Sequence, residues 1–288
     1  MLLLAVACAS GAPGAQAAQD SSCAKRKMGP ELFKAETGMT AEDVWVRQSY
    51  LVEKAVTALQ PQRPGKTDLY YVGFAGDAEE QVFYNDVGAA RYVLEKRFGA
   101  AGRSLLLVNN TDTLYTTPVA NAHNLEAALQ GVAGRMDKQE DVLFLFLSSH
   151  GAQDHRLSVQ FPPLRIDDLS AEELKAMLDR SGIRNRVIVV AACYSGGFLD
   201  VLQDDNTLVL TASSRNHVAY GCGDVTRYTQ FTEAYFVSAL LKGGSFIQAF
   251  GEARHWIEER EAGMDRSQPQ IYVGRNIGKV LQRLEMAP

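Results

Sequence analysis

Cysteine is scarce in this chain: four among 288 residues, at positions 8, 23, 193 and 222. Those spacings match neither a CxxC zinc site nor the dense framework of a disulfide-stapled domain. Positive charge is not in excess either. The net charge is −5, with no basic stripe and no interleaving of basic and aromatic side chains, so a nucleic-acid partner has no support. Membrane-length apolar runs are lacking too. The apolar start is too short, and no later stretch approaches the roughly 20 residues a spanning helix needs, so the body of the chain is expected to be soluble. Internal repeats are absent, as is low complexity beyond the N-terminus. What is present, 46% hydrophobic and 22% charged residues, supplies ample core for one large domain or two small ones.

The N-terminus has a character of its own. Residues 1–8 are apolar and end in Cys8, and the small residues Ala15, Ala17 and Ala18 offer an A-x-A-like cleavage point. Segment 1–18 therefore reads as an export signal without the usual basic start. Because residues 5–8 (AVAC) resemble a weak bacterial lipobox, it also reads as a lipoprotein signal that would leave Cys8 as a membrane tether. Either reading places the protein in the bacterial periplasm or on the outer membrane. A frayed apolar terminus without a role is the bland alternative. In an exported chain Cys23 and Cys222 could pair as a disulfide.

Beyond it, residues 19–64 read as a linker followed by one amphipathic helix over 41–59, where Val44, Leu51, Val52, Ala55 and Leu59 recur at helical spacing. Residues 20–40 are polar and irregular in pattern. From residue 65 to 288, strand-like runs at 69–74, 105–108, 142–149, 186–192, 207–212 and 270–273 alternate with helical stretches at 86–98, 121–136, 170–182, 232–241 and 245–260, with a last helix beyond Asn276. Such alternation predicts a wound α/β sheet with helices on both faces.

Two of the strands read alike. Residues 142–149 (VLFLFLSS) lead into His150 and Gly151, and residues 186–192 (RVIVVAA) lead into Cys193, Tyr194, Ser195, Gly196 and Gly197. Unbroken apolar runs mark strands buried on both faces, and wound sheets carry their chemistry at the carboxyl ends of such strands. If the two strands are neighbours, His150 and Cys193 share one crevice. Thiol hydrolases need a thiolate, an imidazole to handle the proton and amides for the oxyanion. Cys193 and His150 supply the first two, and the amides of Gly151 and Cys193 supply the donors. Singly, a buried cysteine or a strand-end histidine is more often structural. Both together, each beside glycine, favour catalysis.

These residues resemble the signature of the caspase-like cysteine peptidases, and more closely the legumain family. Ser149-His150-Gly151, Ala192-Cys193 with Ser195-Gly196, and Thr211-Ala212 with Tyr220 to Cys222 fall in that family's order at similar spacing, and its bacterial branch is nearer still. The likeness covers roughly residues 68–275. It implies a caspase-like α/β/α sandwich around a six-stranded, mostly parallel sheet, a His150/Cys193 dyad with no obligatory third acid, a peptide or protein substrate, and no metal or other cofactor. The same acyl-enzyme could pass to an amine, giving a transpeptidase or transamidase. A silent scaffold on this fold is the rival from another class.

The resemblance also marks where this chain departs. The animal and plant enzymes build a polar asparagine pocket from an Arg-His pair, a glutamate, two serines and an aspartate. The matching positions here hold Asn85-Asp86, Ala191 and Val218-Ala219, with Glu233 standing in for the last acid. Asn85, Asp86, Ala191 and Glu233 are therefore the candidate substrate-binding residues, and selection of asparagine is not expected. His155 is expected on a surface loop, and His217 and Asp224 on the loop after the fifth strand. Tyr194 is expected to line the pocket or pack, and Cys222 to be a small buried hydrophobe or disulfide partner.

Overall fold

The computed structural model describes residues 28–223 and 226–286. The segment 1–18, with Cys8, lies outside the described residues, as do Cys23 and Asp224. Helix α1 (Pro30–Thr37) occupies part of the stretch read as irregular linker. It has proline in its first turn and is stopped by left-handed Gly38, a local signal that the polar composition concealed. Phe33 anchors it, buried edge-on against Phe161 at 5.9 Å. Helix α2 (Ala41–Thr57) begins in a capping box between Thr40 and Asp43. It is tied to the rest by the buried Gln48 side chain, which accepts from the Val119 amide and from Asn124.

The remaining elements alternate: β1 (Leu69–Ala75), α3 (Gln81–Arg97), β2 (Ser104–Val108), α4 (Ala122–Ala133), β3 (Val142–Ser148), α5 (Ala171–Ser181), β4 (Asn185–Ala191), α6 (Gly196–Leu202) and β5 (Thr207–Thr211). A short α7 (Gln230–Thr232) runs directly into a π-helical segment (Glu233–Leu240), followed by α8 (Phe246–Arg260), β6 (Gln270–Val273) and α9 (Ile277–Glu285). Six strands form one sheet in the order β2-β1-β3-β4-β5-β6. Neighbours among β1 to β5 pair in parallel, and β6 pairs antiparallel on the edge.

Side-chain alternation explains the unbroken apolar runs. In β3, Val142, Phe144 and Phe146 face a core built with α3, the π-helical segment, α8 and α9. Leu143, Leu145 and Leu147 face a second core built with α4, α5 and α6. Strand β4 divides likewise, Val187, Val189 and Ala191 to one side and Ile188, Val190 and Ala192 to the other. A strand with a packed layer on each side needs apolar residues at every step. No described helix is long and apolar enough to cross a membrane.

Candidate active site

Register brings the two signature strands together. β3 and β4 are hydrogen-bonded neighbours, and their last residues, Ser148 and Ala191, are partners. His150 and Cys193 are not the final strand residues. Each stands two residues past its strand, at equivalent steps beyond the same paired ends. The sheet therefore delivers both to one crevice at its carboxyl edge.

Backbone contact there is very close. A Cβ built on Gly151 would lie 2.0 Å from the Cys193 carbonyl oxygen and 3.2 Å from the Ala192 Cβ. Only glycine lets the turn after His150 approach the Cys193 backbone so closely. Neither the Gly151 nor the Cys193 amide donates to a backbone carbonyl among the described residues, and the Cys193 amide faces its own sulfur. These are the two amides the sequence nominated for an oxyanion.

The half-buried His150 is held by two contacts. Its ring meets Phe83 edge-on, with centroids 5.0 Å apart, and its carbonyl accepts from the Ser158 amide at 2.9 Å. Tyr194, directly after the nucleophile, adopts the left-handed conformation at φ 56°, uncommon for a bulky residue. Two anchors hold that turn: the Tyr194 amide donates to the His217 carbonyl at 2.8 Å, and the His155 ring lies 3.3 Å from the Tyr194 carbonyl. His155 also packs on Gly197, whose missing side chain leaves room for the imidazole. It belongs to a loop, as expected, and its role is to brace the nucleophile turn. His217 braces the same turn through its carbonyl, with its ring 2.6 Å from the Ser214 hydroxyl.

The Cys193 sulfur lies against Ala219, whose carbonyl accepts from the thiol at 3.5 Å. The neighbouring Cys222 thiol has the largest influence on it and draws the Cys193 pKa down to about 6 against the opposing effect of burial. The Ala219 amide, 3.3 Å from the sulfur, adds to the lowering. The same thiol contact and burial push Cys222 far above the ordinary thiol range. Cys193 is thus the group poised as a thiolate, and Cys222 its proton-bearing partner. Both are free cysteines.

Beside the sulfur opens a cavity of about 10 Å³, bounded by Cys193, Cys222, Phe83, Phe231 and several alanines. Of the four candidate substrate-binding residues, only Ala191 lines it. Asn85 lies on α3 and donates from its side-chain amide to the Arg227 carbonyl at 3.0 Å. It faces a different groove, shared with Tyr92 and Tyr228. Asp86 is fully buried, accepting from the Ser148 hydroxyl at 2.7 Å, the Thr229 amide at 3.0 Å and the Thr229 hydroxyl at 2.7 Å. Burial raises its pKa to about 6 despite those donors. Its helix begins five residues earlier than the pattern suggested, which turns this carboxylate inward. Glu233 opens the π-helical segment, outside the residues that line the cavity. Sequence reasoning placed Cys222 near the family motif without foreseeing its influence on Cys193, and it overlooked Phe83 and Phe231, which look like ordinary core aromatics. Among the described residues no three His, Cys, Asp or Glu side chains converge to hold a metal ion.

Comparisons with known proteins agree with this geometry. No match was found among curated proteins. Among solved structures, caspase-1 from Spodoptera frugiperda aligns with a TM-score of 0.50 over 75% of this chain and 94% of that one. Sequence identity is 13%, so the likeness is one of fold: an α/β caspase-like sandwich with a six-stranded, mostly parallel sheet. The profile of the peptidase C13 family matches residues 115–273, a span that includes His150, Gly151, Cys193 and Cys222. That span is more than half of the sequence, and the chain belongs to the peptidase C13 family.

Proposed function

We propose that the protein is an exported bacterial cysteine endopeptidase of the legumain type, with Cys193 as nucleophile and His150 as general acid and base. The contact between Gly151 and the Cys193 carbonyl carries this reading, because it fixes the histidine turn against the nucleophile turn. The Cys193 thiolate attacks the scissile carbonyl carbon, and the negative charge moves onto the carbonyl oxygen, held by the amides of Gly151 and Cys193. Collapse of that intermediate breaks the carbon–nitrogen bond as His150 protonates the departing amine. Water, deprotonated by His150, then attacks the thioester, releasing the acid and returning the thiolate. Export, and a tether through a lipidated Cys8, form part of the same proposal and rest on the sequence of residues 1–18.

The test is a diverse peptide mixture incubated with the protein and, separately, with Cys193→Ala, products being read by mass spectrometry. Cleavage lost in Cys193→Ala is the expected result. Joined peptides lost in the same variant would assign an amine as the acyl acceptor. Identical products from both proteins would remove Cys193 from the mechanism. Intact peptides throughout, with Cys193 no more reactive toward an alkylating agent than Cys222, would favour a scaffold.

A further inference from the structure

Resting on the peptidase reading above, we propose that the cavity beside Cys193 is the primary specificity pocket, and that it admits only glycine or alanine on the acyl side of the cleaved bond. The position follows from the walls. Cys193 itself borders the cavity, so a substrate whose carbonyl meets the sulfur places its adjoining side chain there.

Size is the first restriction. About 10 Å³ is the room of roughly one water molecule or one methyl group. The far walls offer little give: Phe83 is wholly buried and Phe231 2% exposed, and both are packed into the core shared by α3 and α8. Ala191 and Ala212 sit on or next to the strand ends, 3% and 2% exposed, and move only with the sheet.

Chemistry is the second restriction. Three hydroxyls border the cavity, and each already donates within the protein. Ser149 Oγ donates to the Ser158 carbonyl at 2.7 Å, Thr229 Oγ1 to Asp86 at 2.7 Å and the Tyr220 hydroxyl to the Asp265 carbonyl at 2.6 Å. The Cys222 thiol is turned to Cys193. A carboxylate, or the carbonyl oxygen of a carboxamide, entering this space would lose its water and meet no free hydroxyl donor, which selects against aspartate and, although its N–H groups could reach a hydroxyl oxygen, against asparagine. A methyl group loses nothing. Leucine and larger apolar side chains exceed the volume.

The experiment is a series of peptides that differ only in the residue on the acyl side of one bond, carrying glycine, alanine, asparagine, aspartate or leucine. Each is assayed with the full chain and with Cys193→Ala. Alanine or glycine is expected to give kcat/KM at least about tenfold above the others, the scale set by one methylene in a closed pocket. Ala219→Val fills the cavity from its loop side and is expected to lose the alanine peptide about tenfold more than the glycine peptide. Ala191→Val makes the same test from the strand side, and circular dichroism reports whether either variant is folded. Cys193-dependent cleavage at asparagine or leucine equal to that at alanine would overturn the pocket assignment and leave the peptidase reading standing. No Cys193-dependent cleavage of any peptide, with Cys193 still alkylated normally, would overturn both.

Discussion

Cys193 and Cys222 border the same cavity, and the neighbouring Cys222 thiol is the strongest influence on the Cys193 thiol. The two lie 29 positions apart, one past β4 and one in the long loop after β5. That influence lowers the Cys193 pKa to about 6, which favours the thiolate at neutral pH. Alkylation of Cys193 by iodoacetamide, followed by peptide mass spectrometry across pH, is expected to show a midpoint near 6. In Cys222→Ala the midpoint is expected to climb by a unit or more toward the ordinary value of about 8.5. Cys222→Ser keeps a donor and is expected to lie between. A midpoint that stays put in Cys222→Ala would refute the role given to this thiol.

The source of thiolate ionisation has a consequence for His150. Because the lowering comes first from Cys222 and then from the Ala219 amide, the imidazole is not needed to create the nucleophile. In the proposed mechanism its part is to protonate the leaving amine. His150→Ala is therefore expected to reduce peptide cleavage by about 10²–10⁴-fold, the usual worth of a general acid. Its rate of Cys193 alkylation at pH 7 should stay within about threefold of the parent. Cleavage and alkylation falling in parallel would instead make His150 the activating base.

Legibility of this molecule in its sequence followed burial. β3 and β4 are enclosed on both faces, so residues 142–147 and 187–191 are all apolar, and the pattern alone placed them in a wound sheet. Chemistry beyond those strands was readable because Gly151 follows His150 directly and Gly196 and Gly197 follow Cys193 within four residues, and the close approach at Gly151 demands glycine. Asp86 was harder. Five helix residues short, the pattern set this carboxylate at the first position of the helix, whereas the full helix turns it into the core, onto Ser148 and Thr229. The cavity was hardest, since it is assembled from α3, β4 and the loop before α7, and no single window of sequence contains it. Helix α1 was hidden by polar composition although Pro30 and Gly38 mark its two ends.

Gly151 is where the backbone tolerates least. With a Cβ only 2.0 Å from the Cys193 carbonyl oxygen, Gly151→Ala forces the His150 and Cys193 turns apart, since the obstacle is backbone and not a side-chain tip. The expected outcome is a loss of at least about 100-fold in kcat/KM, an effect of that size following from misplacement by about an ångström. Overpacking is expected to cost about 1–3 kcal/mol of stability. Gly88→Ala serves as the contrast: the position lies inside α3 with nothing within 4 Å of the added carbon. That variant is expected to keep its activity and to gain up to about 1 kcal/mol, measured by urea unfolding. Equal activities for the two variants would show that the turns are free to separate.

Asp86 makes stability depend on pH with a sign opposite to that of a salt-bridged carboxylate. Its pKa rises from 3.8 to about 6, mainly because burial disfavours the charge more than Ser148 and Thr229 stabilise it. Between about pH 4 and pH 6 the folded chain therefore holds a proton that the unfolded chain has released. Stability is greatest at the acid end of that window, declines as pH rises to about 6 and is level above it, a change of order 3 kcal/mol. Asp141, buried and also raised to about 6, contributes with the same sign, so the wild-type slope alone does not isolate Asp86. The measurement is the unfolding free energy of wild type and Asp86→Asn at pH 4.5, 5.5 and 6.5. Asparagine cannot titrate, so the variant is expected to lose part of the decline, and its disadvantage against wild type should be largest at pH 4.5. Parallel curves would mean that the carboxyl group ionises in the folded protein as it does in the unfolded one, its hydrogen bonds to Ser148 and Thr229 balancing its burial.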